Sequence, residues 1–209
     1  MNRRVLGQKF ARLATNAVMR SPQLWRVFRP LMRKQFDAIA GTWDTMRAAD
    51  HLAPYEAALE AVEPQPARTL DLGTGTGQGA FAIARRFPEA EVVGVDLATA
   101  MVEEADRKMP DDLRRRVRFE AADASALPYP GESFGLVAHA NMIPFFDELD
   151  RVLQPGGQAL FAFSLGEETP IYVAAERLRT ELERRGFIDF AEFTAGKGTA
   201  FLARKPVRA

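Results

Sequence analysis

From residue 68 onward, short apolar runs alternate with stretches of helical periodicity. Arg68–Leu72 reads as a first strand. Ala80, Ile83, Ala84 and Phe87 then recur at i, i+3, i+4 and i+7, one face of a helix that Pro88 stops. Glu91–Asp96 is a second strand. Its Val92 to Val95 centre is almost continuously apolar, the pattern of a strand buried on both faces. Residues 98–109 form a helix closed by Pro110, and residues 117–122 and 136–140 supply a third and a fourth strand. Phe145, Leu149 and Val152 share a face of the next helix, which Pro155-Gly156-Gly157 ends before a fifth strand at 158–165. A long helix carries Ile171, Ala175, Leu178 and Leu182 on one side, with Gly186 placed to cap it. Gly196-Lys197-Gly198 then joins strands at 188–194 and 199–204 in a tight hairpin.

Strands alternating with helices imply a mostly parallel sheet covered on both faces, to which the closing hairpin adds an antiparallel strand. Residues 1–66 differ. They show helical periodicity only, punctuated by Pro22, Pro30, Pro54, Pro64 and Pro66. The pattern therefore divides the chain into a helical N-terminal cap, residues 1–66, and an α/β domain, residues 67–209.

Composition narrows the function classes. With 209 residues, 47% hydrophobic and 27% charged, the chain has the makings of one packed domain rather than a disordered segment. No apolar run approaches the roughly 18 residues of a membrane span. The N-terminus shows no apolar run leading to a small-residue cleavage site, so the expected location is cytoplasmic. Cysteine is absent and His51 and His139 are the only histidines, which excludes thiolate chemistry and multi-histidine metal sites.

The stretch from Asp71 to Gly79, Asp-Leu-Gly-Thr-Gly-Thr-Gly-Gln-Gly, follows a strand and opens a helix. Glycines at such a turn let the backbone bend sharply and approach a ligand at the carboxyl ends of the strands. As a dinucleotide fingerprint the motif is weak, because Gln78 replaces the third glycine counted from Gly73. The acids around it are more informative. Asp71 precedes the glycines and suits an ammonium group better than a pyrophosphate. Asp96 ends the second strand, where a carboxylate accepts hydrogen bonds from ribose hydroxyls. Asp123 follows the third strand and is available to an adenine amino group. Together they fit a nucleoside with a cationic tail and no phosphates.

These residues resemble the class I S-adenosylmethionine-dependent methyltransferases. The resemblance runs through Leu70 to Gly77, Val93 to Leu97, Ala122 to Ala124 with Leu127-Pro128, and Arg151 to Gly157, within residues 36–205. It implies a Rossmann-like seven-stranded sheet of order 3-2-1-4-5-7-6 with strand 7 antiparallel, and S-adenosylmethionine as cofactor, leaving S-adenosylhomocysteine. It also implies that Asp71 with Gly73, Thr74 and Gly75 holds the methionine part, and that Asp96 holds the ribose. Leu97 and Met101 would pack on the adenine, whose edge Asp123 and Ala124 would fix. Trp43, in the segment preceding the core, would close over the cofactor or serve only to pack a helix. Asn141 would contact the amino-acid part or the substrate.

Methyl transfer from a sulfonium needs alignment and water exclusion more than it needs a metal. His139, at the end of the fourth strand, is the candidate general base. Its competing roles are substrate positioning and a buried ring satisfied by a backbone carbonyl. Two departures from the family stand out. Gly135 replaces the usual aspartate after Phe134, and the loop after the fourth strand is short, so that Met142, Ile143, Pro144, Phe145 and Phe146 shape the pocket mouth, with Tyr172 as a further contributor. This favours a small, apolar or aromatic acceptor.

Residues 1–40 carry nine basic residues against the single acid Asp37, a charge of +8 that leaves −8 on the remainder. Leu6, Phe10, Leu13 and Ala17 form one helical stripe; Leu24, Val27, Phe28, Leu31, Gln35, Phe36 and Ile39 form another. The main expectation is a helical lid whose apolar stripe, including Leu6, Leu13 and Leu31, is buried over the acceptor pocket. Peripheral membrane contact through residues 1–35 competes with it. So does nucleic-acid contact through Trp25-Arg26-Val27-Phe28-Arg29, which would make the protein an RNA methyltransferase. A non-catalytic methyltransferase-like interaction module is the remaining alternative.

Overall fold

The computed structural model describes the backbone of residues 3–207 and the side chains of residues 6–207; the side chains of Arg3 and Arg4, counted in the basic segment, lie outside this range. Seven strands form one sheet: β1 (Arg68–Leu72), β2 (Glu91–Asp96), β3 (Val117–Ala121), β4 (Phe134–Ala140), β5 (Leu153–Phe163), β6 (Ile188–Ala195) and β7 (Gly198–Arg204). Their order is β3-β2-β1-β4-β5-β7-β6. The pairs among β1 to β5 are parallel, and β7 runs antiparallel to both β5 and β6. The helices are α1 (Arg3–Arg20), α2 (Trp25–Ile39), α3 (Ala53–Leu59), α4 (Gln78–Arg86), α5 (Thr99–Arg107), α6 (Phe146–Val152) and α7 (Ala175–Glu183).

Strand alternation sends side chains to two cores. Val92, Leu136, Ala138 and Leu160 pack beneath α3, α4 and α5. Leu70, Val93, Val137 and Phe161 pack beneath α6 and α7. Helix α3 lies before residue 67, yet its Tyr55, Ala58 and Leu59 are fully buried against the sheet, so it forms part of the α/β layer. A smaller cluster joins α1 and α2 to the loops after β4 and β5 through Ala11, Ala14, Val18, Trp25, Met32, Ile143 and Ile171.

Several elements depart from the sequence expectation. Helix α2 passes through Pro30 without a break, the ring sitting on its exposed side. Strand β5 begins at Leu153, paired with Phe134, and the Pro155-Gly156-Gly157 segment becomes an irregularity in that pairing rather than a separate turn. Helix α7 starts at Ala175, later than the periodicity implies. Ile171 and Val173 instead feed different clusters, Ile171 the arm and Val173 the sheet face, which an extended backbone permits and a helix does not. The family's aspartate position is glycine for a visible reason: a Cβ on Gly135 would stand 3.2 Å from Pro66 Cβ.

The stripes on the arm are split: Phe10, Phe28, Phe36 and Ile39 pack inward, whereas the leucines and Val27 keep much of their surface in solvent. On α1 the inward face consists of Ala11, Ala14, Thr15 and Val18, while Leu6 and Leu13 face solvent. On α2, Trp25 and Met32 are buried, and Leu24, Val27 and Leu31 are exposed. Small residues allow α1 to approach the domain closely, which the bulkier leucine face does not.

Gly77 caps α4 in the left-handed region, φ 87°. A Cβ there would lie 2.7 Å from Phe119 Cζ and 2.9 Å from Phe81 Cζ, two rings that pack edge to face. Gly77→Ala is therefore expected to cost about 2–4 kcal/mol, combining overpacking with the left-handed backbone. Urea unfolding should show a lower midpoint; an unchanged midpoint would mean that the two rings move aside freely.

Candidate active site

The cleft opens at the carboxyl ends of β1, β2 and β4. Gly73 and Gly75 turn the chain after β1 with φ 66° and 54°, and the Thr74 N–H donates to the Val95 carbonyl at 2.9 Å, pinning the loop to β2. Asp96 completes that tie. One of its oxygens accepts the Gly75 N–H at 2.9 Å and the other the Ala98 N–H at 2.8 Å. Burial pushes its carboxyl up to about 6, against the lowering pull of these two donors, with Asp37 adding a like charge.

Asp71 lies behind the loop rather than in the cleft. It is buried, and its oxygens accept Tyr55 Oη at 2.9 Å and Thr74 Oγ1 at 2.7 Å, with the Ala80 N–H as a further donor. Burial raises it to about 6 despite those donors. A Cβ on Gly79 would come within 2.8 Å of its Oδ2, so the fourth glycine of the motif makes room for this carboxylate.

The arm closes the cleft from both sides. From α2, Trp25 Nε1 donates to Asp123 Oδ1 at 2.9 Å, and Arg29 donates to Asp123 Oδ2 at 2.8 Å. Burial alone would raise the Asp123 carboxyl, but Arg29, the Ser125 N–H and Trp25 outweigh it and hold it low. Farther along, Asp37 accepts the Ala100 N–H and Arg33 donates to Thr99 Oγ1. From α1, Arg12 donates to the carbonyls of Glu167 and Thr169, each at 2.9 Å. Trp43 lies above Gly75, its Nε1 3.3 Å from where a Cβ would be. Phe36 meets the Trp43 ring edge-on and the Arg47 guanidinium stands 4.9 Å over it. Trp43 Nε1 is buried without a hydrogen-bond partner among the described residues. Burial pushes Arg47 down to about 10, with Asp44 and Asp71 opposing.

The cavity of the cleft measures about 1260 Å³. Trp43, Gly73, Gly75, Asp96, Leu97, Met101, Ala124 and Asn141 all line it, so eight of the eleven sequence-derived cofactor residues converge. Asp71, Thr74 and Asp123 do not line it; their polar atoms are engaged in holding the loop and the arm. Asn141 has φ 53°, and its Oδ1 accepts both the N–H and the hydroxyl of Ser164.

His139 is displaced from its expected role. It shares a strand face with Val137, pointing into the core beneath α6 and α7, where its ring packs edge-on against Phe161 at 4.4 Å. Neither ring nitrogen has a partner among the described residues, and burial lowers its pKa to about 3. It neither faces the cleft nor binds a backbone carbonyl. Tyr172 likewise packs on Phe163 at 5.1 Å rather than at the mouth, which Thr169, Pro170 and Ile171 line instead. Arg47 and Met32 are cavity residues that the sequence reading passed over. The cue for Arg47 was its place four residues after Trp43.

Residues 69–157 match the family model described as a methyltransferase domain. Over 153 residues the chain is 39% identical to a malonyl-acyl-carrier-protein O-methyltransferase of Halorhodospira halophila, covering 68% of this chain and 50% of that protein. Over 105 residues it is 45% identical to a demethylmenaquinone methyltransferase of Thermus thermophilus, covering 47% of each. The chain thus spans about half the length of the curated relatives it matches. In fold it resembles a SAM-dependent methyltransferase from Aquifex aeolicus, with a TM-score of 0.64 at 17% identity over 79% of this chain and 97% of the other. Residues 69–157 are thus a methyltransferase domain by sequence, and the sheet has the class I S-adenosylmethionine-dependent methyltransferase fold.

The cleft fits S-adenosylmethionine, the cofactor of that family, on its own chemistry. A carboxylate at the tip of β2 faces the cavity beside apolar Leu97 and Met101. A glycine turn admits a ligand close to the backbone, and an unpartnered indole N–H and a guanidinium stand over it.

His139 yields the sharpest test at this site. A buried polar ring with no partner carries a desolvation cost of about 1–3 kcal/mol, so His139→Leu should leave stability unchanged or raise it. Methyl transfer per folded molecule should not move. A loss of about 10²-fold or more in turnover with the fold intact would restore the histidine to the chemistry.

Proposed function

We propose that the protein transfers a methyl group from S-adenosylmethionine to a small apolar or aromatic acceptor. The observation that carries this reading is the cavity itself. At about 1260 Å³ it exceeds the roughly 300–1,000 Å³ of a single-ligand pocket, and its walls change character from one end to the other. The β1–β2 end carries Asp96 and the glycine turn. The other end is lined by Phe10, Met32, Ile143, Phe145, Leu165 and Ile171.

In this reading Asp96 accepts from the ribose hydroxyls, while Leu97, Met101 and Ala124 enclose the adenine. Gly73, Gly75, Trp43 and Asn141 surround the methionine part, and Arg47 supplies positive charge for its carboxylate. Asp71 and Thr74 act by fixing the glycine turn. The sulfonium is already activated, so an in-line displacement needs the acceptor atom held against the methyl group in a dry chamber. Electrons from the acceptor form the new bond, S-adenosylhomocysteine leaves, and any acceptor proton departs to solvent or buffer. Of the relatives' named substrates, demethylmenaquinone matches such a chamber better than malonyl-acyl-carrier protein, because it presents an aromatic ring with an apolar tail.

Calorimetry with S-adenosylmethionine and a labelled-methyl assay on hydroquinone acceptors test this reading. Asp96→Ala should weaken cofactor binding by about 1.5–3 kcal/mol per charged hydrogen bond lost. Affinity should be flat above neutral pH and fall as the pH drops through about 6, because the ionised Asp96 is the better acceptor. Asp96→Asn should flatten that fall. Undiminished binding by a folded Asp96→Ala protein would remove the residue from the cofactor site.

A further inference from the structure

The outer face of the arm is apolar where a docked lid has no need to be. Leu6 and Leu13, seven residues apart, share a face of α1. Leu24, just before α2, shares a face with Val27 and Leu31 in its first two turns. All five are between 40% and 64% exposed. The two rows flank one contact, Phe10 against Phe28 at 5.9 Å between ring centroids. Phe10 lies four residues after Leu6 and three before Leu13; Phe28 lies four after Leu24 and three before Leu31. The rows therefore border the seam between the helices. Lys9 and Arg20 on α1 and Arg26 and Lys34 on α2 are exposed around them, and none has an acidic partner within 4 Å among the described residues. Asp37, the one acid of this segment, is turned to Ala100 and Arg33.

We infer that this face docks on an anionic lipid surface. Aliphatic side chains on two helices lying in the interface, rimmed by lysine and arginine, are what a charged bilayer binds: the alkyl groups enter the acyl boundary and the cations meet phosphates. Leu6 and Leu31 also line the cavity, so the exposed strip is continuous with the acceptor chamber. A lipophilic acceptor therefore has an apolar route from the bilayer into the cleft, which extends the proposed function by naming where its acceptor resides. Charge and composition separate this from other occupants. A second copy would bring two segments of +8 face to face. RNA would call for exposed aromatic rings to stack on, whereas Trp25 is buried against Phe145 and Arg29 is taken by Asp123.

The test is sedimentation of the full chain with vesicles of phosphatidylcholine alone or with about 30% phosphatidylglycerol. Binding should be at least about tenfold stronger to the anionic vesicles and should weaken with salt. Leu13→Glu with Val27→Glu, at positions outside the cavity wall, should lower it about tenfold or more. Lys9→Glu with Arg26→Glu should abolish the preference for anionic lipid. Circular dichroism and calorimetry with S-adenosylmethionine establish that the variants are folded. Equal binding by the Leu13→Glu, Val27→Glu protein would overturn the inference. So would absence of binding to anionic vesicles, or a dimer in light scattering that this double variant dissociates. The vesicle assay contains no acceptor, so its failure leaves the methyl-transfer reading standing, and cofactor calorimetry tests that reading separately.

Discussion

A carboxylate buried where β1 ends sets the terms for everything around it. Asp71 is held by Tyr55, Thr74 and the Ala80 N–H. Satisfying it fixes α3 against the sheet through Tyr55, the glycine turn through Thr74, and the start of α4 through Gly79, where a side chain would collide with its Oδ2. A buried charge without such partners would cost several kcal/mol. The same contacts that remove this cost give the turn its shape, and the shaped turn presents Gly73 and Gly75 to the cleft. Asp96 extends the arrangement to β2 by bonding Gly75 and Ala98.

A second carboxylate governs the lid. Asp123 accepts from Trp25 and Arg29, so the arm is attached by a polar contact at the β3 side and by Arg12 on two carbonyls at the β5 side. Between these fastenings lie the apolar walls. The Arg29 side chain is 48% exposed, which limits what its ion pair contributes. The helices thus divide their residues: Phe10, Ala11, Met32, Phe36 and Ile39 wall the chamber, Leu6 and Leu31 sit at its edge, and Leu13, Val27 and most of the basic residues face outward.

Much of this was readable from residue order. Alternating runs and the closing hairpin led to a mostly parallel sheet with one antiparallel strand, because parallel strands need intervening helices; the strand order itself came from the family resemblance, and the structure has it. The glycine turn and Asp96 were legible because they are local to one strand–helix junction. What escaped depends on partners far along the chain. Asp71 and Asp123 look like ligand contacts until Tyr55 and Trp25, distant in sequence, are found bonded to them. His139 was placed at the cleft because alternation gives the parity of a strand residue but not which face points to the cleft; its ring points into the core. The stripes on α1 and α2 were recognised as apolar but only half of each is covered, the aromatic members packing inward and Leu13, Leu24 and Val27 staying exposed, since periodicity does not tell how much of an apolar face the fold buries.

The central claim is that the cofactor occupies the β1–β2 end of the cavity beneath the arm. Hydrogen–deuterium exchange with and without S-adenosylmethionine tests it most directly. Exchange should slow at residues 73–76, 96–98 and 122–125, and in α2, whose Trp25 and Arg29 bond Asp123. Protection confined to other segments, or none at saturating cofactor, would contradict it.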